Sequence, residues 1–336
     1  MKRRFVAQMT DGETIEDVYL VTEKQLRANR NGNLYLQLEL RDRTGALSAR
    51  LWNAGEHLFR SFDSGDFLLA KGKVQLFQGA LQIILSHIER VENEKVDLTD
   101  FLPHTEQDVS KLLERLRGTL LKLSNHHLRA LVECFLIDDE FLRAFCQAPA
   151  GVRNHHAYVG GLLEHVVTLL DLTERVIPIY PEVDRDLLLV GIFLHDVGKV
   201  RELSYDRAFA YTDEGQLIGH LIIGVEMLNE KVAKVPDLTG EPFPTELLLR
   251  LKHMILSHHG TYEFGSPKLP MTPEAIALHH LDNLDAKVNS FTRDIREDRN
   301  SASAWTPFNQ SLQRRLFKGA TDGTEALYSP TLEPGD

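Results

Sequence analysis

The chain has 336 residues, 43% of them hydrophobic, with 38 Lys and Arg against 49 Asp and Glu, for a formal net charge of −11. That length allows two domains with cores of their own. No apolar run approaches the ~18 residues of a membrane span, and the start Met1-Lys2-Arg3-Arg4-Phe5 lacks the apolar stretch of a secretory leader, so a cytoplasmic protein with no membrane partner is expected. The acidity is uneven: residues 1–91 carry 13 basic and 11 acidic side chains, whereas the rest carries 25 and 38. An acidic average therefore does not exclude a nucleic-acid partner for the first part. Cys134 and Cys146 both fall in amphipathic helical sequence and read as free thiols rather than a disulfide or a zinc knuckle.

In chain order, Thr14 to Glu92 reads as strands and turns. Val18–Val21 is a short β-type run, Asn29–Asn33 a turn, Leu34–Leu40 alternates at period two, and Asp42–Gly45 turns again before a second alternating strand, Ala46–Trp52. A short helix-like connection over Ala54–Phe62 leads to Phe67–Phe77 and Leu81–Leu85. About five short strands in this arrangement fit a small Greek-key barrel.

The stretch resembles OB-fold modules of the anticodon-binding type, through Asn31-Gly32, Tyr35-Leu36, Asp42-Arg43-Thr44-Gly45, Leu51-Trp52, Lys71-Gly72-Lys73-Val74 and Gln82-Ile83. The resemblance implies binding of single-stranded RNA or DNA, with bases stacked on Tyr35, Trp52 and Phe77 and phosphates tracked by Arg27, Arg30, Arg50, Lys71 and Lys73. A single aromatic in a small barrel is more often core than platform.

Residues 93–107, with Pro103 among polar neighbours, read as a linker, so residues 1–92 form the first domain. From Asp108 the period becomes helical, with Leu112, Leu116, Leu120, Leu128, Leu131 and Phe135 at three- and four-residue spacing, and residues 108–320 are expected to be all helical. The Gly/Pro/Ser-rich end, 321–336, is expected to be a frayed tail. Trp305, Phe308 and Leu312 in the Phe291–Phe317 segment have either this domain or another subunit to pack on, which leaves the oligomeric state open.

Metal-type ligands recur through the helical part. Asn154–Val167 reads as one helix carrying His155, His156 and His165; its Gly160-Gly161 pair costs helix propensity and points to the close approach of another helix or a ligand. His155 is read as an outer contact or phosphate contact, and His156 as structural. The apolar run Leu187–Leu194 delivers His195-Asp196 and breaks at Gly198, just before Lys199. Asp is seldom buried unless paired or metal-bound, so this pair asks for partners. The partners on offer are His165, His220, the doublet His258-His259 and Asp282.

This ordered series resembles the HD-domain phosphohydrolases in their two-metal version. The resemblance implies that His165, His195, Asp196 and Asp282 hold one ion, that Asp196 bridges to a second held by His220, His258 and His259, and that Asp285 assists or replaces Asp282. With the barrel in front, the chain is similar over roughly residues 12–319 to the YhaM-type 3′-to-5′ exoribonucleases. That family implies a multi-domain architecture of an OB barrel followed by an HD helical bundle. It also implies hydrolysis of single-stranded RNA, with DNA not excluded, to nucleoside monophosphates. Asp196 and Lys199 would be the catalytic groups. The donor set suits manganese, iron, cobalt, nickel or zinc, and the family favours manganese. Two other readings compete: an HD phosphodiesterase of small or cyclic nucleotides, and a non-enzymatic single-strand-binding factor.

Overall fold

The computed structural model of the chain describes residues 3–29, 31–77, 80–92, 95–152, 156–205, 209–298, 303–310 and 312–319. Period-two alternation in the first part closes into a barrel: β1 (Thr14–Ala28), β2 (Leu34–Asp42), β3 (Gly45–Trp52), a one-turn helix α1 (Glu56–Phe59), β4 (Phe67–Phe77) and β5 (Ala80–Val91), in spatial order β1-β2-β3-β5-β4. Leu36, Leu38 and Leu40 of β2 face inward with Ile15, Tyr19, Val21, Val74 and Ile83, all buried. β1 runs far beyond the apolar Val18–Val21. Past a bulge between Val21 and Glu23, residues 23–28 pair with β2; in that half only Lys24 and Leu26 are partly buried, and the other side chains are exposed.

The connection expected as a linker is docked at both ends. Phe101 is fully buried against Phe67, ring centroids 4.7 Å apart, with the Arg3 guanidinium 4.2 Å from its centroid. Further on, Thr105 N–H donates to the Val159 carbonyl (2.9 Å), and the Thr105 hydroxyl donates to Glu164.

The second part comprises α2 (Val109–Leu120), α3 (His126–Leu136), α4 (Asp139–Gln147), α5 (Gly161–Val176), α6 (Arg185–Leu194), α7 (Lys199–Glu202), the two-stranded β6 (Leu203–Ser204) and β7 (Ala210–Tyr211), α8 (Asp213–Leu217), α9 (His220–Val232), α10 (Val235–Thr239), α11 (Thr245–Ser257) and α12 (Pro273–Glu297). Asp108, Asn125, Asp138 and Asp184 cap α2, α3, α4 and α6 by accepting from first-turn N–H groups. The small β6–β7 ladder interrupts a part expected to be all helical; two-residue strands are too short to leave a period in sequence.

Helix α6 is the core. Every residue from Asp186 to Leu194 is buried, as an all-round apolar helix requires, and each buried leucine contributes on the order of 1.5–3 kcal/mol. Phe193 sits among Phe135, Phe141 and Phe145, centroids 5.5, 6.3 and 5.6 Å away. Helices α5, α11 and α12 pack around α6, which brings their ligand-bearing positions to its C-terminal end.

The helix expected over 154–167 begins only at Gly161. Gly160 adopts φ 81° and His156 φ 51°, and a Cβ on Gly161 would overlap the His156 carbonyl. The close approach signalled by the glycine pair is thus made at Gly161 by the chain's own preceding turn and at Gly160 by the Thr105 side chain. Trp305 and Phe308 stay exposed. Among the described residues no helix is long and apolar enough to cross a membrane. His155, Arg30 and the tail from 320 onward lie outside the described residues.

Candidate metal centre and nucleic-acid face

His195 caps the C-terminus of α6, with Asp196 directly after it and Lys199 opening α7. His165 comes from α5, His220 from the first position of α9, His258 and His259 from the end of α11, and Asp282 and Asp285 from α12, one turn apart. A Cβ at Gly198 would overlap the His220 carbonyl; glycine there lets α9 meet the His195–Lys199 turn directly.

In all five imidazoles Nδ1 faces an acceptor. The His195, His258 and His259 Nδ1–H groups donate to the carbonyls of Ile192, Ile255 and Phe264 at 2.7, 2.8 and 2.8 Å. His165 donates to Asp285 at 2.8 Å and His220 to Glu202 at 2.9 Å. Carbonyls and carboxylates only accept, so in each neutral imidazole the proton sits on Nδ1 and Nε2 is the nitrogen turned inward to ligate. This is the outer-sphere arrangement of histidine metal ligands.

The Nε2 atoms and carboxylates fall into two overlapping groups. In one, His165 Nε2 lies 3.2 Å from Asp282 Oδ1 and 3.3 Å from His195 Nε2, and His195 Nε2 is 3.3 Å from Asp196 Oδ2. In the other, His220 and His258 Nε2 lie 3.6 and 3.7 Å from Asp196 Oδ1, and the His259 ring lies beside both, tilted to His220 and edge-on to His258, centroids 5.2 and 4.5 Å away. Asp196 therefore turns one oxygen to each group. Its Oδ1 and the His220 Nε2 are buried with no hydrogen-bond partner among the described residues. Such orphans cost about 1–3 kcal/mol each, a deficit that a divalent cation between them would remove. His165, His195 and Asp282, and likewise His220, His258 and His259, hold donor atoms within 4.8 Å of one another. The residues present thus fit two ions sharing Asp196.

Electrostatics follow the packing. Burial alone would raise the Asp196 carboxyl, but Lys199, at 2.7 Å, and His195 outweigh it and hold it well below the usual range. Burial likewise opposes charge on Lys199, and Asp196 more than restores it. His165 is desolvated, yet Asp282 and Asp285 lift it to about 9. Burial pushes His258 well below its ordinary value and lowers His259 as well, which keeps both neutral and ready to ligate.

Three neighbours of the ligands stand out. Asp285 sits 2.8 Å from His165 Nδ1, on the far side of the ring from Asp282, which lies 3.2 Å from His165 Nε2. His156, buried, reaches the same Asp285 oxygen at 2.9 Å and Tyr158 at 2.7 Å, so it orients Asp285. Glu202 accepts from both the His220 N–H and Nδ1–H at 2.9 Å and was not singled out from sequence. The available signal was an acidic residue three positions after Lys199, which is weak alone.

On the barrel, register sets two rows on one face. Arg27, Tyr35 and Trp52 are lateral neighbours across β1, β2 and β3; two residues along, Gln37, Arg50, Ile84 and Lys73 continue the row. Tyr35 and Trp52 rings are 4.9 Å apart, Trp52 is 43% and Phe77 44% exposed, and the Arg50 guanidinium lies 5.5 Å from the Phe77 centroid. Lys71 is paired with Glu16 at 2.9 Å and offers less free charge than Lys73.

Comparison with known proteins agrees with this geometry. Residues 162–287 match the family model of the HD domain, and residues 20–91 that of an OB-fold nucleic acid binding domain. The chain is 36% identical to the 3′-5′ exoribonuclease YhaM of Bacillus pumilus over 84% of this chain and 88% of that one. It is 34% identical to the Bacillus subtilis YhaM over 91% and 95%. Among solved structures, the second OB-fold domain of replication protein A from Methanococcus maripaludis is 21% identical and covers 27% of this chain and 95% of its own, with a TM-score of 0.23, too low to carry weight. An OB-type barrel followed by a helical HD domain, matched by such relatives over nearly its whole length, places this chain in the YhaM-type 3′-5′ exoribonuclease family.

Proposed function

We propose that this chain is a metal-dependent hydrolase that shortens single-stranded RNA from its 3′ end, releasing nucleoside monophosphates, with manganese as the favoured ion. The polarity and the RNA substrate rest on the relatives, which are named 3′-5′ exoribonucleases. The metal dependence rests on the HD match and on the paired donor groups. The observation that carries the reading is Asp196, whose two oxygens face two histidine groups with anchored Nδ1 atoms.

In this reading His165, His195, Asp196 and Asp282 hold one ion, and Asp196, His220, His258 and His259 the other. The ions supply Lewis-acid polarisation of the phosphoryl oxygens and activation of water for in-line attack. Lys199, fixed on Asp196, faces the same space as a cation and offsets the charge that grows on phosphorus. The P–O3′ bond of the last linkage breaks, water's oxygen joins phosphorus, and a proton goes to the new 3′ hydroxyl. The barrel holds the strand: Tyr35, Trp52 and Phe77 stack bases, while Arg27, Arg50 and Lys73 follow phosphates.

One assay tests this reading. With manganese, 5′-labelled single-stranded RNA is expected to shorten stepwise with release of monophosphates, and Asp196→Ala to stop this while strand binding persists. Hydrolysis of cyclic dinucleotides but not RNA would favour the small-nucleotide alternative, and full activity of the Asp196→Ala protein would overturn the assignment.

A further inference from the structure

A third set of metal-type ligands lies apart from the centre just described, and no step of the reaction draws on it. His126 and His127 open α3, directly after its Asn125 cap, and Glu241 follows the Gly240 turn that ends α10. Residues 115 positions apart in sequence thus converge: His126 Nε2 lies 2.8 Å and His127 Nε2 3.3 Å from the same Glu241 oxygen. The two rings are 4.0 Å apart, and one donor atom from each of the three residues lies within 4.8 Å of the others.

We propose that His126, His127 and Glu241 form a separate transition-metal site, with two imidazoles and one carboxylate as ligands, suited to Zn2+. A tetrahedral zinc ion about 2.0–2.2 Å from each donor places the donors roughly 3.3 Å apart, so the observed separations need only a small adjustment. Adjacent histidines at a helix end already serve this chain once, in the His258-His259 doublet, whose rings are 4.5 Å apart. His126 and Glu241 are more than half exposed, which leaves a fourth position open to water, whereas the His127 side chain is only 13% exposed.

The site differs from the catalytic centre in one respect that sets its strength. The buried His127 Nδ1 has no hydrogen-bond partner among the described residues, whereas each imidazole of the centre has an acceptor there. Outer partners of this kind are worth roughly 10–100-fold in metal affinity, so the site fills after the centre. An ion here would tie α3 to the connection that runs through buried Phe243 into α11, the helix that carries His258 and His259. Its role is that of a brace.

The test is metal counting on the untagged full-length protein, dialysed to equilibrium against Zn2+ and analysed for bound zinc. Wild type is expected to hold one equivalent more than His126→Ala and one more than Glu241→Gln, whatever number the catalytic centre holds. Zinc should also raise the melting temperature of wild type above the level it gives either variant, and RNA hydrolysis should be unchanged in both. Equal zinc content in the three proteins would overturn the proposal, and so would loss of the extra equivalent in only one variant.

Discussion

The barrel face and the candidate metal centre hold their functional side chains in opposite ways. On the barrel the aromatic and charged side chains lie at the surface, placed side by side by strand register, and touch one another only in local pairs such as Tyr35–Trp52, Arg50–Phe77 and Lys71–Glu16. At the centre the candidate ligand side chains are buried, apart from the partly exposed His259 and Asp282; they come from helices far apart in sequence, and each is held by another side chain or carbonyl. A surface of independent contacts loses affinity in steps when residues are removed. An interlocked centre fails as a unit, because removing one member strands buried partners.

The largest effect is expected where the interlocking is tightest. Asp282→Ala should lower monophosphate release by on the order of 10³-fold or more, beyond the 10–100-fold usual for outer partners, while a fluorescence assay finds single-strand binding within about twofold of wild type. Matching losses in binding and turnover would erase the contrast between the two regions. Glu202→Gln comes next: with its carboxylate gone, His220 keeps its place but loses a strong acceptor. About a 10–100-fold fall in activity is expected, recoverable in part by excess manganese. An unchanged metal dependence would make Glu202 merely structural.

Protonation sharpens the comparison further. His165, lifted to about 9 by Asp282 and Asp285, carries a proton at neutral pH that an incoming cation must expel. Metal affinity should therefore rise about tenfold per pH unit below that value and level off above it, with proton release measurable by calorimetry in buffers of different ionisation heat. An affinity flat between about pH 6 and 8 would contradict the assignment. On the barrel, Trp52→Ala should weaken long-strand binding by about 1–3 kcal/mol, roughly 5- to 150-fold, and leave a small phosphodiester substrate unaffected. Smallest of all, Lys71→Ala should change binding little, since Glu16 already neutralises it, whereas Lys73→Ala should reduce the salt dependence of binding.

Much of this was legible in sequence where one physical signal dominated. Alternation in Leu34–Leu40 and the unbroken apolar run Leu187–Leu194 each dictate burial, and burial dictates a strand or a central helix. The seven candidate ligands, His165 through Asp282, converge because they all sit near the C-terminal end of that buried helix. Signals failed where backbone or tertiary contacts act without an apolar period. The second half of β1 is mostly polar, with Leu26 its one apolar side chain packed on the barrel core, and it is held chiefly by pairing with β2. The Gly160-Gly161 pair looked helical but serves a tight turn. Glu202 and His156 act through hydrogen bonds to residues 18 and 129 positions away, which no local pattern records.

The shared carboxylate is most directly tested by electron paramagnetic resonance of the manganese-loaded protein. Two ions bridged by Asp196 should give the broad spectrum of a magnetically coupled pair, and Asp196→Ala should leave only isolated-ion signals or none. Isolated-ion signals alone in the wild type, or a coupled spectrum that survives in Asp196→Ala, would contradict the two-ion centre.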